Sequence, residues 1–99
     1  MTHLIRILGR PDELAGQFVK TFDHNGADGR GDGTFTHDPM EALHFPTRDA
    51  ALEFYFRRST RRPWRADGEP NCPLTASHAE FLTLGRAILE AAFLRTSSA

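Results

Sequence analysis

The densest group of side chains that could bind charge lies in residues 57–65, which read RRSTRRPWR. Guanidinium groups form strong hydrogen bonds with carboxylates and phosphates, and they stack on aromatic rings. Arginine and tryptophan are also enriched among the residues that dominate binding between proteins. The segment therefore predicts a surface that binds an anionic partner. Its predicted binding residues are Arg57, Arg58, Arg61, Arg62, Trp64 and Arg65.

The geometry of this surface depends on where the preceding helix ends. Thr47 is a good N-cap residue, and the pattern after it predicts a helix over 48–60 that must stop before Pro63. If that helix continued to residue 62, its four arginines would lie within about 140° of one another, with Phe54 beneath them. In the alternative, the helix frays after residue 59, Trp64 packs into the core, and the arginines pair with Asp67, Glu69 or the acidic hairpin. The sequence leaves both open.

A second charged segment, DHNGADGRGDGTF at 23–35, has the composition of a calcium-binding loop. An EF-hand needs oxygen ligands at loop positions 1, 3, 5 and 12 and glycine at position 6. Starting at Asp23, Ala27 occupies position 5; starting at Asp28, Arg30 occupies position 3. Neither register fits, so we predict an acidic hairpin loop whose carboxylates could imitate phosphates. The acids concerned are Asp23, Asp28, Asp32, Asp38 and Glu41.

Residue types that support catalysis are present but poorly spaced for it. None of the five histidines pairs with a second ligand at the i, i+4 spacing of a helical metal site, and a single cysteine excludes a cysteine-rich zinc site. Cys72 lies between two prolines, with no local feature besides the arginines that would activate a thiol. Phe18 stands two residues before Lys20, where many nucleases have a carboxylate. We therefore predict no metal, no cofactor and no enzymatic activity.

Size and charge define the class of molecule. The length of 99 residues predicts a single domain over 1–99 with a disordered tail at 95–99. The lone cysteine and the lack of an apolar run of about 20 residues predict a cytoplasmic protein without a membrane span. Residues 1–56 hold nine acids and five bases, whereas residues 57–99 hold four acids and seven bases. This division predicts an acidic and a basic surface patch.

The elements that must position these residues are read from periodicity and turn signals. Residues 78–84 predict either a strand followed by a helix over 86–95, which we favour because of Gly85, or one helix running to residue 95. The predicted fold class is α+β, an antiparallel sheet of three to four strands with two helices packed on one face. Besides the helix over 48–60, the predicted elements are strands at 3–8, 16–23 and 34–37, a short helix starting at 38, and a loop at 63–77.

Three motifs give the chain a recognisable character. They are DGRG at 28–31, the run from Thr36 to Phe45 that includes Asp38-Pro39 and Ala42-Leu43, and DGEPNCPLTA at 67–76. Across residues 16–76 the chain resembles a group of short proteins from proteobacteria and their phages and prophages. That group has arginine at the position of Cys72, which weakens a role for this cysteine. The resemblance brings no assigned chemistry.

What the resemblance implies is a class of function. Small proteins of phage origin often act by binding a host complex, and anti-CRISPR proteins, which block interference complexes, are an example. The leading expectation is therefore a protein-interaction module that inhibits a host protein or ribonucleoprotein complex such as a CRISPR–Cas effector. The alternatives are a nucleic-acid-binding accessory protein that uses the arginines and, third, a small metal-dependent enzyme. A formal charge of −1 is unusual for nucleic-acid binding.

Overall fold

The structure, a computed structural model, describes residues 1–97. Within them, four strands form one antiparallel sheet in the order β3-β2-β1-β4. The strands are β1 (His3–Gly9), β2 (Phe18–Asp23), β3 (Asp32–Thr36) and β4 (His78–Thr83). The α-helices are α2 (Arg48–Tyr55) and α3 (Leu84–Ser97), and α1 (Gly26–Gly29) is a single turn in which Ala27 and Asp28 have left-handed dihedral angles. Turns of 3-10 helix lie at Asp12–Leu14 and Pro73–Ala76. The α+β class is confirmed, and so is the strand followed by a helix at the C-terminal end.

Alternating side chains of β1 divide the core into two clusters on opposite faces of the sheet. Ile5 and Ile7 pack on one face with Ala51 of α2. Leu4 packs on the other face with Ala87 of α3. The sheet is therefore covered on both faces, whereas the sequence predicted both helices on one face. The consecutive apolar residues in β1 indicate burial on both faces, since a strand covered on both sides lacks polar alternation.

A shift in register within β2 changes which of its side chains share a face. The β2–β3 pairing is irregular between Val19 and Thr21. As a result, Phe22 packs with Val19 in the α2 cluster, whereas Phe18 belongs to the α3 cluster. A regular strand over 16–23 would place Phe18 and Phe22 on one side, but here they lie on opposite faces, because one extra residue in a strand reverses the side-chain alternation beyond it.

The predicted helix starting at residue 38 is absent from the described chain. The Asp38 carboxylate accepts a hydrogen bond from the Met40 amide at 2.9 Å, which closes a turn rather than capping a helix. The amides of Leu43 and Phe45 then donate to the carbonyls of Val19 and His3, respectively, both at 2.9 Å. These bonds to β2 and β1 hold the backbone extended, so tertiary pairing overrides the helix-start signal.

Helix α2 begins where the sequence predicted and ends earlier. The Thr47 hydroxyl accepts a hydrogen bond from the Ala50 amide at 3.1 Å, which confirms the N-cap. The last helical residue is Tyr55, five residues before the predicted end, and Phe56 has non-helical dihedral angles (φ −92°, ψ 7°). The arginines beyond it therefore do not form a helical face.

Helix α3 follows β4 directly. The Thr83 hydroxyl accepts a hydrogen bond from the Arg86 amide at 3.2 Å, and the Leu84 amide donates to the Thr2 carbonyl at 2.8 Å. The predicted tail over 95–99 starts inside the range assigned to α3, and its last two residues lie outside the described chain. None of the helices in the described chain has the length and apolar character that crossing a bilayer requires.

Candidate arginine–tryptophan interface

Residues 57–65 form an irregular loop that is organised by Asn25, from the β2–β3 connection. The Asn25 side-chain oxygen accepts hydrogen bonds from the Ser59 hydroxyl at 2.9 Å, the Thr60 amide at 2.8 Å and the Arg61 amide at 3.0 Å. Its nitrogen donates to the Thr60 hydroxyl at 2.9 Å. Ser59 is fully buried, and its oxygen also accepts from the Arg62 amide. A single side chain thus takes the place of the helical hydrogen bonds that end at Tyr55.

A second amide, Asn71, fixes the other side of the loop. Its side-chain nitrogen donates to the carbonyls of Gly29 at 2.6 Å and Arg62 at 2.8 Å. Its backbone carbonyl accepts from the Ser59 amide, and its backbone amide donates to the Pro63 carbonyl, both at 2.9 Å. The arginine loop is therefore joined at several points to the hairpin loop and to the segment after it.

The hairpin loop and the arginine loop touch at Gly29. This residue has φ +86°, in the left-handed region, and a Cβ added there would lie 2.5 Å from the Cβ of Arg62. Only glycine allows both the backbone conformation and this close approach. The DGRG motif at 28–31 thus contributes directly to the packing beneath the predicted interface.

Four of the five predicted arginines have a carboxylate partner. Arg61 and Arg62 share Asp28 of the hairpin, at 2.8 and 3.4 Å. The hydrogen bond from Arg61 and the charges of both arginines lower the pKa of Asp28. The remaining pairs are Arg57 with Glu53 at 2.7 Å and Arg65 with Asp67 at 3.1 Å. The alternative prediction, pairing with the acidic hairpin and with Asp67, describes Arg61, Arg62 and Arg65, whereas Arg57 pairs with Glu53 of α2, which it did not include.

Arg58 differs from its neighbours because it stacks on an aromatic ring. Its guanidinium carbon lies 4.7 Å from the centroid of the Trp64 ring, and Trp64 is 54% exposed rather than packed in the core. Arg57 stacks in a similar way on Phe54 at 5.2 Å. Within the described chain, no carboxylate lies within ion-pair distance (4.0 Å) of Arg58 or Arg30. We call Phe54, Arg57, Arg58, Arg61, Arg62, Trp64 and Arg65 the arginine–tryptophan interface.

A groove of about 410 Å³ opens beside Trp64. Three of its lining residues are arginines, and none is acidic. Arg30 belongs to the hairpin loop and was not among the residues predicted to bind. The lining consists of Gly29, Arg30, Arg62, Trp64, Arg65, Ala66 and Asn71.

The five acids predicted to imitate phosphates are divided between the two ends of the β2–β3 hairpin. Asp23 and Asp32 are cross-strand partners beside the loop, where Asp28 is bound by arginines. Asp38 and Glu41 lie near Thr36 at the opposite end: the Thr36 hydroxyl accepts from the Asp38 amide and donates to the Glu41 carboxylate. These placements separate the carboxylates into two groups, and each group is partly neutralised, because Asp28 pairs with arginines and Glu41 lies 3.9 Å from the Lys20 ammonium.

Histidine and cysteine side chains do not assemble a reactive cluster in the described chain. No group of three His, Cys, Asp or Glu residues there is arranged to hold a metal ion. His24 is buried between Phe22 and Phe54, in edge-on ring contacts at 5.0 and 4.8 Å. Its Nε2 lies 2.9 Å from the Phe54 carbonyl, an arrangement in which Nε2–H donates. His24 therefore packs beneath the interface rather than serving as a ligand.

Sequence reasoning missed the residues that build the interface. Asn25, Ser59 and Asn71 carried only turn-forming signals, because Asn25 and Ser59 are 34 positions apart and Asn71 and Gly29 are 42 positions apart. Long-range pairs of this kind leave no local periodicity. The one signal in the sequence was asparagine near glycine-rich turns, and asparagine is common in turns of every kind.

Comparisons of the chain with protein-family models, with curated proteins and with solved structures gave no match.

Proposed function

We propose that the protein is an interaction module that binds an acidic surface of a partner protein through the arginine–tryptophan interface. The observation that carries this proposal is the Arg58–Trp64 pair, in which an exposed indole is stacked with a guanidinium that has no carboxylate partner within ion-pair distance in the described chain. Large exposed aromatic residues beside arginine are the usual centre of a protein-binding surface. The pair supplies apolar contact and charge at the same point.

The surrounding hydrogen bonds support this role because they order the loop before any partner arrives. Asn25 and Asn71 fix the backbone that carries Arg61 and Arg62. Binding costs less when the interacting groups are already held in place, since less conformational freedom is lost. The arginines retain further N–H groups that could donate to a partner's carboxylates.

The resemblance to phage and prophage proteins supports a more specific form of the proposal. The partner would be a host protein or ribonucleoprotein complex in the cytoplasm, such as a CRISPR–Cas effector, and the protein would inhibit it by covering a functional surface. This role needs a rigid charged surface and no catalytic group.

The proposal is tested by covalent capture from lysate of the bacterial host, using a photoreactive group placed next to the interface. Trp64→Ala and Arg58→Glu should each abolish capture of the protein recovered by the unchanged chain. Arg86→Glu is the matched control, because Arg86 is a solvent-exposed arginine on α3, 67% exposed, and the charge change is the same. Equal capture by all three variants would overturn the proposal, provided that circular dichroism shows them folded.

A second candidate function, binding of single-stranded nucleic acid, is favoured by one observation. The groove beside Trp64 is lined by three arginines and a tryptophan. Proteins that bind single-stranded nucleic acid combine a basic groove with aromatic side chains on which the bases stack. Binding of a fluorescent oligonucleotide that weakens steeply with salt would support it, because each neutralised phosphate releases counterions. The formal charge of −1 and the acids around the groove argue for the first candidate.

A further inference from the structure

The groove beside Trp64 has the properties of a binding site in its own right. Its volume of about 410 Å³ is similar to those of other surface grooves in the described chain, so its lining of three arginines and a tryptophan is what distinguishes it. The Gly29 side of the groove is fixed by the Asn71 hydrogen bond, and the Arg62 side by the same amide group. The cavity therefore lies between two loops that are bonded to each other.

The three arginines of the groove differ in whether they form an ion pair within the described chain. Arg62 and Arg65 lie 3.4 and 3.1 Å from Asp28 and Asp67, respectively. Arg30 is exposed, lines the groove and has no carboxylate within 4.0 Å in the described chain, and it acts on Asp28 only as a longer-range charge that lowers the pKa of Asp28. A guanidinium can bind a carboxylate through two parallel hydrogen bonds, which gives both strength and orientation.

The acids beside the groove limit what can occupy it. Asp28 and Asp67 accompany two of the lining arginines, so a strand with a phosphate on every residue would meet repulsion as it passed them. A peptide can place a carboxylate at one position and an uncharged side chain at the next. The exposed face of Trp64 offers such an apolar side chain a contact surface.

We propose that this groove binds an extended acidic peptide segment, with one carboxylate on Arg30 and an adjacent apolar side chain on Trp64. The inference rests on the proposed function and specifies the partner: the bound part is a peptide segment with spaced acids rather than a folded acidic surface alone. It also assigns a binding role to Arg30, which the arginine–tryptophan interface does not include.

The chain provides its own reporter for this test. Trp64 is its single tryptophan, so intrinsic fluorescence reports directly on the groove. The probe is a short synthetic peptide of alternating glutamate and leucine, blocked at both ends, and the reference is the same peptide with glutamine in place of glutamate. We expect the glutamate peptide to change the fluorescence of Trp64 in a saturable way. The glutamine peptide should bind with a Kd at least about tenfold higher, which corresponds to about 1.4 kcal/mol of binding free energy.

Two variants separate the groove from the rest of the interface. Arg30→Ala removes the uncommitted guanidinium, and Ala66→Phe fills the groove while leaving every charge in place. Each should weaken binding of the glutamate peptide about tenfold, whereas Arg86→Ala on α3 should leave it unchanged. Absence of saturable binding, equal binding of the glutamine peptide, or tighter and strongly salt-dependent binding of oligo-dT would each overturn the inference.

Failure of the groove inference is distinguishable from failure of the proposed function. If Arg30→Ala and Ala66→Phe leave capture of the partner protein unchanged while Arg58→Glu and Trp64→Ala abolish it, the interface stands and the groove inference is wrong. If none of the four variants affects capture, the proposed function itself is wrong.

Discussion

Arg6 and Arg58 are the same residue type in two opposite situations. Arg6 lies on the sheet face covered by α3, with its side chain 20% exposed, and it bonds to Glu80 of β4 and to Glu90 of α3, the latter at 2.6 Å. Arg58 lies on the surface, stacks on Trp64, and has no carboxylate within ion-pair distance in the described chain. Arg6 connects elements of the fold, whereas Arg58 is available to another molecule.

The contrast shows that the role of an arginine depends on the groups its guanidinium contacts and not on whether it lies in a basic run of the sequence. Burial alone lowers the pKa of Arg6, but the hydrogen bonds to Glu90 and Glu80 outweigh this effect and raise it. Arg6 stands alone in the sequence, where no local pattern indicates its role. The arginines of the conspicuous run 57–65 range from paired to unpaired.

The largest effect on stability is expected at Arg6. Arg6→Ala leaves the carboxylates of Glu80 and Glu90 close together without their shared cation, and it removes packing against Phe18. Removing one partner of a partly buried ion pair should lower the free energy of unfolding by about 2–3 kcal/mol, between the values for surface and fully buried pairs. Urea denaturation followed by circular dichroism measures it.

Arg57→Ala is the control for this prediction, because Arg57 pairs with a single exposed carboxylate, Glu53, which lies only four residues before it. Its removal should leave the urea midpoint unchanged. If Arg57→Ala were as destabilising as Arg6→Ala, the distinction between structural and available arginines would be wrong.

A smaller loss of stability is expected at Asn25, together with loss of binding. Asn25→Ala removes the acceptor shared by Ser59, Thr60 and Arg61, and it leaves the buried Ser59 hydroxyl without that partner. An unsatisfied buried polar group costs about 1–3 kcal/mol. We expect the urea midpoint to fall and the glutamate peptide to bind more weakly to the disordered loop. Asn25→Asp, which keeps the accepting oxygen, should retain more of the stability and more of the peptide binding than Asn25→Ala does.

The strands, their order along the chain and the Thr47 cap could be predicted because they depend on local signals. The apolar run in β1 and the turn residues around 24–33 act over a few positions, and the structure follows them. The end of α2 could not be predicted in this way. It depends on Asn25, more than 30 positions earlier, taking over the hydrogen bonds of residues 59–61.

The interface was predicted by composition but not by geometry. Arginine and tryptophan in one short segment indicated binding chemistry, and the loop does place Arg58 on Trp64. The groove could not be anticipated, because Arg30 reaches it from a different loop through the approach of Gly29 to Arg62. That the interface and the groove bind a partner stays a prediction.

A substitution at Asp28 should free Arg61 and Arg62 from their ion pairs and make them available to a partner, as Arg58 is. Asp28→Asn removes the carboxylate shared by Arg61 and Arg62 but keeps the size of the side chain. Exposed ion pairs contribute little to stability, so the urea midpoint should stay the same. Binding of the glutamate peptide, followed by Trp64 fluorescence, should strengthen by about two- to fivefold at low salt and lose this gain at high salt. Weaker binding would show that Asp28 orients the arginines more than it competes for them.

The smallest expected effect is a pH dependence that arises beneath the interface, at His24. Burial between two rings lowers the pKa of His24 and the charge of Arg57 lowers it further, which together outweigh the opposing hydrogen bond to the Phe54 carbonyl. The unfolded chain therefore binds the proton more readily, and the contribution of His24 to stability is complete above the unfolded pKa of about 6.5. It declines as the pH falls from there towards the lower pKa of the folded state. Urea midpoints measured between about pH 5 and pH 8 should show this decline, and His24→Gln should reduce it. A folded-state pKa of His24 at or above 6.5, measured by NMR, would contradict the packing described here, because it would require a charged imidazolium between Phe22 and Phe54.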